Sequence, residues 1–131
     1  MDLIDKFQRA YRLWLQGDAA ELSEMLSPDV VYHLPGKHMG GGSLRGVPAL
    51  IARVTAVVRA LDVPPKSELL SVSGYAPFAF TVERFQARRA EASLDQLVCG
   101  IWRFENYLCV EVWSHFADQK ACDEFWEKTL V

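Results

Sequence analysis

Cysteine is scarce and unpatterned. The chain has three, Cys99, Cys109 and Cys122, with no C-x-x-C spacing, so a disulfide framework is not expected. No apolar run approaches the roughly 20 residues of a membrane span. The N-terminus MDLIDKFQRA carries acids and aromatics where a secretory signal needs a basic start and an apolar centre. These absences lead to the expectation of a soluble, cytoplasmic protein that does not engage membranes. A basic surplus is missing too: 14 Lys and Arg against 17 Asp and Glu leave a net charge of −3, so no nucleic-acid partner is expected. Arg84, Arg88 and Arg89 cluster only locally and read as a solvated strand end. Histidines number three; His33 and His38 straddle a Pro-Gly turn without an HExxH or Cys/His pattern, and no metal is expected. Gly40-Gly41-Gly42-Ser43 lacks the GK[ST] ending of a phosphate loop and reads as a lid or connector, so no nucleotide or other cofactor is implied.

What is present is a chain of 131 residues, 50% hydrophobic, enough for one domain spanning 1–131 with a real core. Leu3, Ile4, Phe7, Ala10, Tyr11 and Trp14 recur at helical spacing before Gly17. Asp18 and Glu21 open a short second helix carrying Leu22, Met25 and Leu26, ended by Ser27-Pro28-Asp29. Val30-Val31-Tyr32-His33-Leu34 reads as a strand closed by Pro35-Gly36, and a loop follows through Gly46. Leu50, Ile51, Val54, Val57, Val58 and Leu61 form a third helix between Pro48 and Pro64-Pro65. Four β-rich runs, near 68–73, 76–87, 95–104 and 107–116, are spaced to pair as an antiparallel meander. Asp118 caps a last helix in which Cys122, Phe125 and Trp126 share a face and Leu130 continues it. The fold class is α+β, in the order ααβαββββα.

Helices packed on one side of such a sheet bury its concave face, toward which alternate strand residues point. In the closing strand Glu111, Trp113 and His115 share a side, and Val110, Val112, Ser114 and Phe116 share the other. If Glu105-Asn106 is the hairpin loop, Trp102 lies opposite Cys109 and Gly100 opposite Glu111 on the chemically richer side. Gly100 would then leave room mid-pocket. That face mixes apolar walls with a few polar groups, as a small-ligand site does. A glutamate between indoles loses solvation, its pKa rises, and it becomes an acid/base group. The alternative is a Glu111 that faces solvent or pairs with an arginine such as Arg84 or Arg103. His115 is read either as a second acid/base group or as a hydrogen-bonded core residue. Of the adjacent Tyr32 and His33 only one faces inward; Tyr32 is preferred because it shares a side with Val30 and Leu34. Tyr11 and Trp14 from the first helix, with the third helix, roof the pocket.

The element order, Tyr32-His33-Leu34-Pro35-Gly36, Leu44-Arg45-Gly46 and the run from Trp102-Arg103-Phe104-Glu105-Asn106 to Val110-Glu111-Val112-Trp113 resemble the NTF2-like superfamily, and within it SnoaL-like (polyketide cyclase-like) proteins. The resemblance covers nearly the whole chain. It implies a cone-shaped curved antiparallel sheet packed on three to four helices, dimerised through the sheet's outer face. It also implies activities from cyclase and isomerase to epoxide hydrolase and dehydratase, or none. Carried over residue by residue, the steroid isomerase tyrosine falls on Ala10, its base on Leu34 and its second oxyanion donor on Gly100, none of which does that chemistry. Tyr107 departs from the glycine common in such hairpins.

Two functions follow as expectations. One is a cofactor-free enzyme for a small apolar or polycyclic oxygenated molecule, with Glu111, His115 and Tyr32 as catalytic groups and Trp102, Trp113, His33, Gly100, Tyr11 and Trp14 around the ligand. The other is a non-catalytic ligand-binding or dimeric assembly module of the same fold.

Overall fold

The computed structural model describes residues 2–36 and 41–129, with side chains through residue 127. His38, Gly40 and Leu130, which entered the sequence reading, lie outside the described residues. The chain runs α1 (Leu3–Leu15), α2 (Ala20–Glu24), β1 (Leu26–Leu34), β2 (Gly42–Arg45), α3 (Val47–Ala60), β3 (Lys66–Tyr75), β4 (Phe78–Arg89), β5 (Ala92–Glu105), β6 (Leu108–Phe116) and α4 (Gln119–Thr129). Its fold class is α+β, with six strands in the order β2-β1-β6-β5-β4-β3.

Each helix begins for a local reason. The Asp2 carboxylate accepts from the Asp5 amide at 2.8 Å, and Asp118 accepts from the Ala121 amide at 3.0 Å. Pro48 occupies the first turn of α3, where a missing N–H is harmless. Asp18 reaches only the Ala20 amide, and Glu21 instead pairs with Arg9 of α1 at 3.1 Å, tying the first two helices together.

Four features differ from the sequence reading. The second helix ends at Glu24 and β1 begins at Leu26, so Leu26 and Ser27-Pro28-Asp29 belong to the strand and not to the helix and its end. A short strand, β2, replaces part of the expected loop: Ser43 and Leu44 pair with His33 and Tyr32, giving the order ααββαββββα. Four residues, one of them glycine, carry too little periodicity to declare a strand; the neighbouring backbone supplies the ladder. β1 pairs with β6 in parallel, so one ladder of the sheet is not antiparallel. The β5–β6 loop is Asn106-Tyr107, not Glu105-Asn106, because Glu105 pairs with Leu108 and both loop residues take positive φ, 51° and 66°. That conformation matches the twist of the flanking strands. Tyr107 adopts it with its side chain 80% exposed, so a bulky residue meets only water.

β5 and β6 contain a bulge. Phe104 pairs with Cys109, yet Arg103 pairs with Glu111, leaving Val110 as an extra residue. β3 carries a second irregularity between Leu69 and Ser71. Bulges bend strands, and the sheet wraps its concave face around α1. Two apolar clusters fill that concavity. One joins Phe7, Ala10 and Tyr11 of α1 to Trp102, Phe104 and Val112; the other joins Cys122, Phe125 and Trp126 of α4 to Leu61, Ala87 and Leu94.

Candidate functional site

The inward row of β4 is Ala79, Thr81 and Glu83, small or polar, while Phe78, Phe80 and Val82 project outward. Small side chains there make room for what β5 sends across. The Trp102 indole lies back over Gly100, and its Nε1–H donates to Thr81 Oγ1 at 3.1 Å. Phe7, Tyr11 and Tyr32 pack around this ring, with centroids 4.9, 5.4 and 6.1 Å away.

Above Trp102 lies a cavity of about 230 Å³, between Trp14, Leu22, Tyr32, Leu50, Val54 and Trp102. Among the described residues, no charged residue lines it. α3 covers it loosely, for Ile51 and Val54 are 56% and 38% exposed and no residue of that helix is buried.

Tyr32 brings the polar contact. Its hydroxyl shares a hydrogen bond of 3.1 Å with Ser114 Oγ of β6. Burial pushes its pKa up to about 12, so the phenol stays neutral at physiological pH. Behind the aromatic wall Tyr11 Oη donates to Glu83 Oε1 at 2.6 Å. Burial raises the Glu83 pKa, opposed by hydrogen bonds from Tyr11 and Ser67. Burial also lifts the Tyr11 hydroxyl well above its ordinary value, reinforced by the adjacent Glu83 charge.

The residues expected to share the pocket face are divided between the two sides of the sheet. Tyr32, Trp102 and Trp14 border the cavity, and Tyr11 stands directly behind it. Glu111, Trp113 and His115 lie on the opposite side of the sheet, because the bulge at Val110 turns Val112 and Ser114 inward instead. Glu111 is held there by His33 Nε2 at 2.6 Å and by Arg103 at 3.0 Å. These partners, His33 first, keep its carboxyl below the usual range, the reverse of the shift expected between indoles.

His33 faces outward with it, stacked on Trp113 at 5.6 Å and 23°. Its Nδ1 contacts Ser43 Oγ at 3.1 Å. His115 is exposed. Gly100 faces inward but leaves no open room: a Cβ there would come within 2.6 Å of Trp102 Nε1 and would strike Thr81 Oγ1.

Sequence reasoning missed Glu83, Ser114 and Thr81. Glu83 was legible in principle, as the acid in the alternate row Ala79-Thr81-Glu83, but the larger Phe78, Phe80 and Val82 compete for the inward assignment. Among the described residues, no group of three or more His, Cys, Asp or Glu is arranged to hold a metal, and no helix is long and apolar enough to cross a membrane.

The family model for the SnoaL-like domain matches residues 7–112 of the chain. The chain belongs to the SnoaL-like domain family. An uncharacterized protein of Mycobacterium tuberculosis strain H37Rv is 29% identical to this SnoaL-like domain over 127 residues, covering 94% of the chain and 95% of that protein. Bal32a, from a soil-derived mobile gene cassette, superposes on it with a TM-score of 0.84 at 26% identity, over 95% of both chains. TerC, co-crystallized with polyporic acid, has the same fold, with a TM-score of 0.75 at 16% identity over 95% of this chain and 98% of its own.

Proposed function

We propose that the cavity between α1, α2, α3 and the sheet binds a small apolar, oxygen-bearing organic molecule, and that Tyr32 donates a hydrogen bond to its oxygen. One observation carries this reading: an enclosed, neutral phenol stands at the wall of an otherwise apolar cavity of about 230 Å³. A phenol that keeps its proton polarises a carbonyl or epoxide oxygen without a cofactor. The reaction class that fits is therefore a cofactor-free cyclase, isomerase or hydrolase type, with Tyr32 as its catalytic donor. Glu111 and His115 have no part in it, because they stand across the sheet. A non-catalytic ligand-binding module is the second reading, favoured by the absence of a carboxylate or imidazole among the cavity's described lining residues.

Tyr32→Phe separates the two in a panel of lactones, epoxides and enones. As a catalytic donor, Tyr32 leaves kcat reduced by roughly 10²-fold or more when removed. As a binding donor only, its loss weakens affinity by about 2- to 10-fold. An unchanged affinity and rate would place the ligand elsewhere.

The outer face supports a further proposal, a homodimer formed through the sheet. Phe78, Phe80 and Leu97 are 37%, 42% and 46% exposed there, and Phe78 stacks on Phe80 at 6.4 Å. Light scattering should report twice the chain mass for the native protein and the single mass for Phe80→Glu; a native monomer refutes the proposal.

A further inference from the structure

The described residues that line the cavity are all uncharged. Trp14, Tyr32 and Trp102 present indole and phenol rings to it, and none of its described lining residues is a lysine, arginine or histidine. The strand residues of those types nearest in register, His33, Arg103 and His115, sit on the outer side of the sheet, the first two bound to Glu111.

Glu83 is different in kind. It lies on the inner row, one ring behind the wall: Tyr11, which donates to it, packs at 5.4 Å against both Trp14 and Trp102. Its hydrogen bonds from Tyr11 and Ser67 come from neutral hydroxyls. Among the described residues no cation is paired with it, and an ionised carboxylate so placed, partly shielded from solvent, projects its field over several ångströms because burial reduces screening. Aromatic faces add attraction for a cation and none for an anion.

We infer that the cavity selects its ligand by charge, preferring an apolar molecule that bears a protonated amine over its neutral counterpart and excluding the matching carboxylate. The inference rests on the cavity being a ligand site. It adds a basic nitrogen to the ligand's chemistry, as a counter-charge for Glu83.

The preference is linked to pH. The groups facing Glu83 are Tyr11 from α1 and Tyr32 from β1; Ser67 of β3 and Val98 of β5 carry no charge. Both phenols stay protonated across the neutral range, so Glu83 alone titrates. Its raised pKa means that its charge appears as pH rises past the ordinary carboxylate range. The amine's advantage should grow with it.

Three probes of one shape test this: 1-naphthylmethylamine, 1-naphthalenemethanol and 1-naphthoate, titrated calorimetrically at pH 5 and pH 8. At pH 8 the expected order is amine, then alcohol, then carboxylate, with steps on the order of tenfold. The steps should shrink at pH 5, while alcohol binding stays constant. Glu83→Gln, close in shape, should remove both steps and leave the alcohol's affinity unchanged. Tyr11→Phe takes one hydrogen bond from the carboxylate, raises its pKa further and should move the onset of the amine's advantage to higher pH. If naphthoate binds as well as the alcohol, or if the amine keeps its advantage in Glu83→Gln, charge selection is overturned while the ligand site stands. If the alcohol itself does not bind, the ligand site and this inference fall together.

Discussion

Trp102→Ala should cost about 3–5 kcal/mol of folding stability, a large fraction of what a domain of this size has. Trp102 is 2% exposed and forms the centre of the first apolar cluster, touching rings from α1 and β1 and bonding across β4. Truncation removes dispersion contacts on every side, leaves a void next to the existing cavity and takes from Thr81 its indole donor. Urea denaturation would show the loss as a lower midpoint at nearly constant slope. Trp113→Ala is the informative control. That indole lies on the outer face against His33, half-buried, and its removal should cost far less. Equal costs for the two would contradict the assignment of faces.

Gly100→Ala should destabilise by about 1–3 kcal/mol, although alanine ordinarily suits a strand interior better than glycine. The reason is space. The Trp102 indole and the Thr81 hydroxyl occupy the position a Cβ would take, with Trp102 Nε1 2.6 Å away. The added methyl therefore displaces the indole or breaks its bond to Thr81. A shift in tryptophan fluorescence and near-ultraviolet dichroism should accompany the lost stability. Thr81→Ala removes one of the two obstructing atoms, so Gly100→Ala combined with Thr81→Ala should cost less than the sum of the single changes. An additive pair, or a stabilised Gly100→Ala, would show that the indole rests elsewhere.

The two predictions turn on the same residues that divide what was readable from what was not. Trp102, Tyr11, Trp14 and Tyr32 stand out in the sequence as large aromatic residues on periodic elements, and each lies at or directly behind the cavity. Glu111, Trp113 and His115 stand out equally, and their alternation along the strand is as expected. Only their side is different. From the pairing of Phe104 with Cys109, an unbroken register would have set Trp102 opposite Glu111; Val110, looped out as a bulge, sets it opposite Val112.

Local pattern by itself determined the α+β class, the helical stripe from Leu3, the helix starts near Pro48 and at Asp118, the places of the long strands and the aromatic stock of the interior. These depend on periodicity, capping and backbone restriction, which act over a few residues. Tertiary structure alone decided which carboxylate lies inside. Glu111 and Glu83 both sit in alternating strands, and nothing near either in the chain records a one-residue bulge or the Trp102 ring folded over Gly100. Side-chain facing has a period of two, so a single extra residue between strands moves a charged group from interior to surface and reverses the direction of its pKa shift.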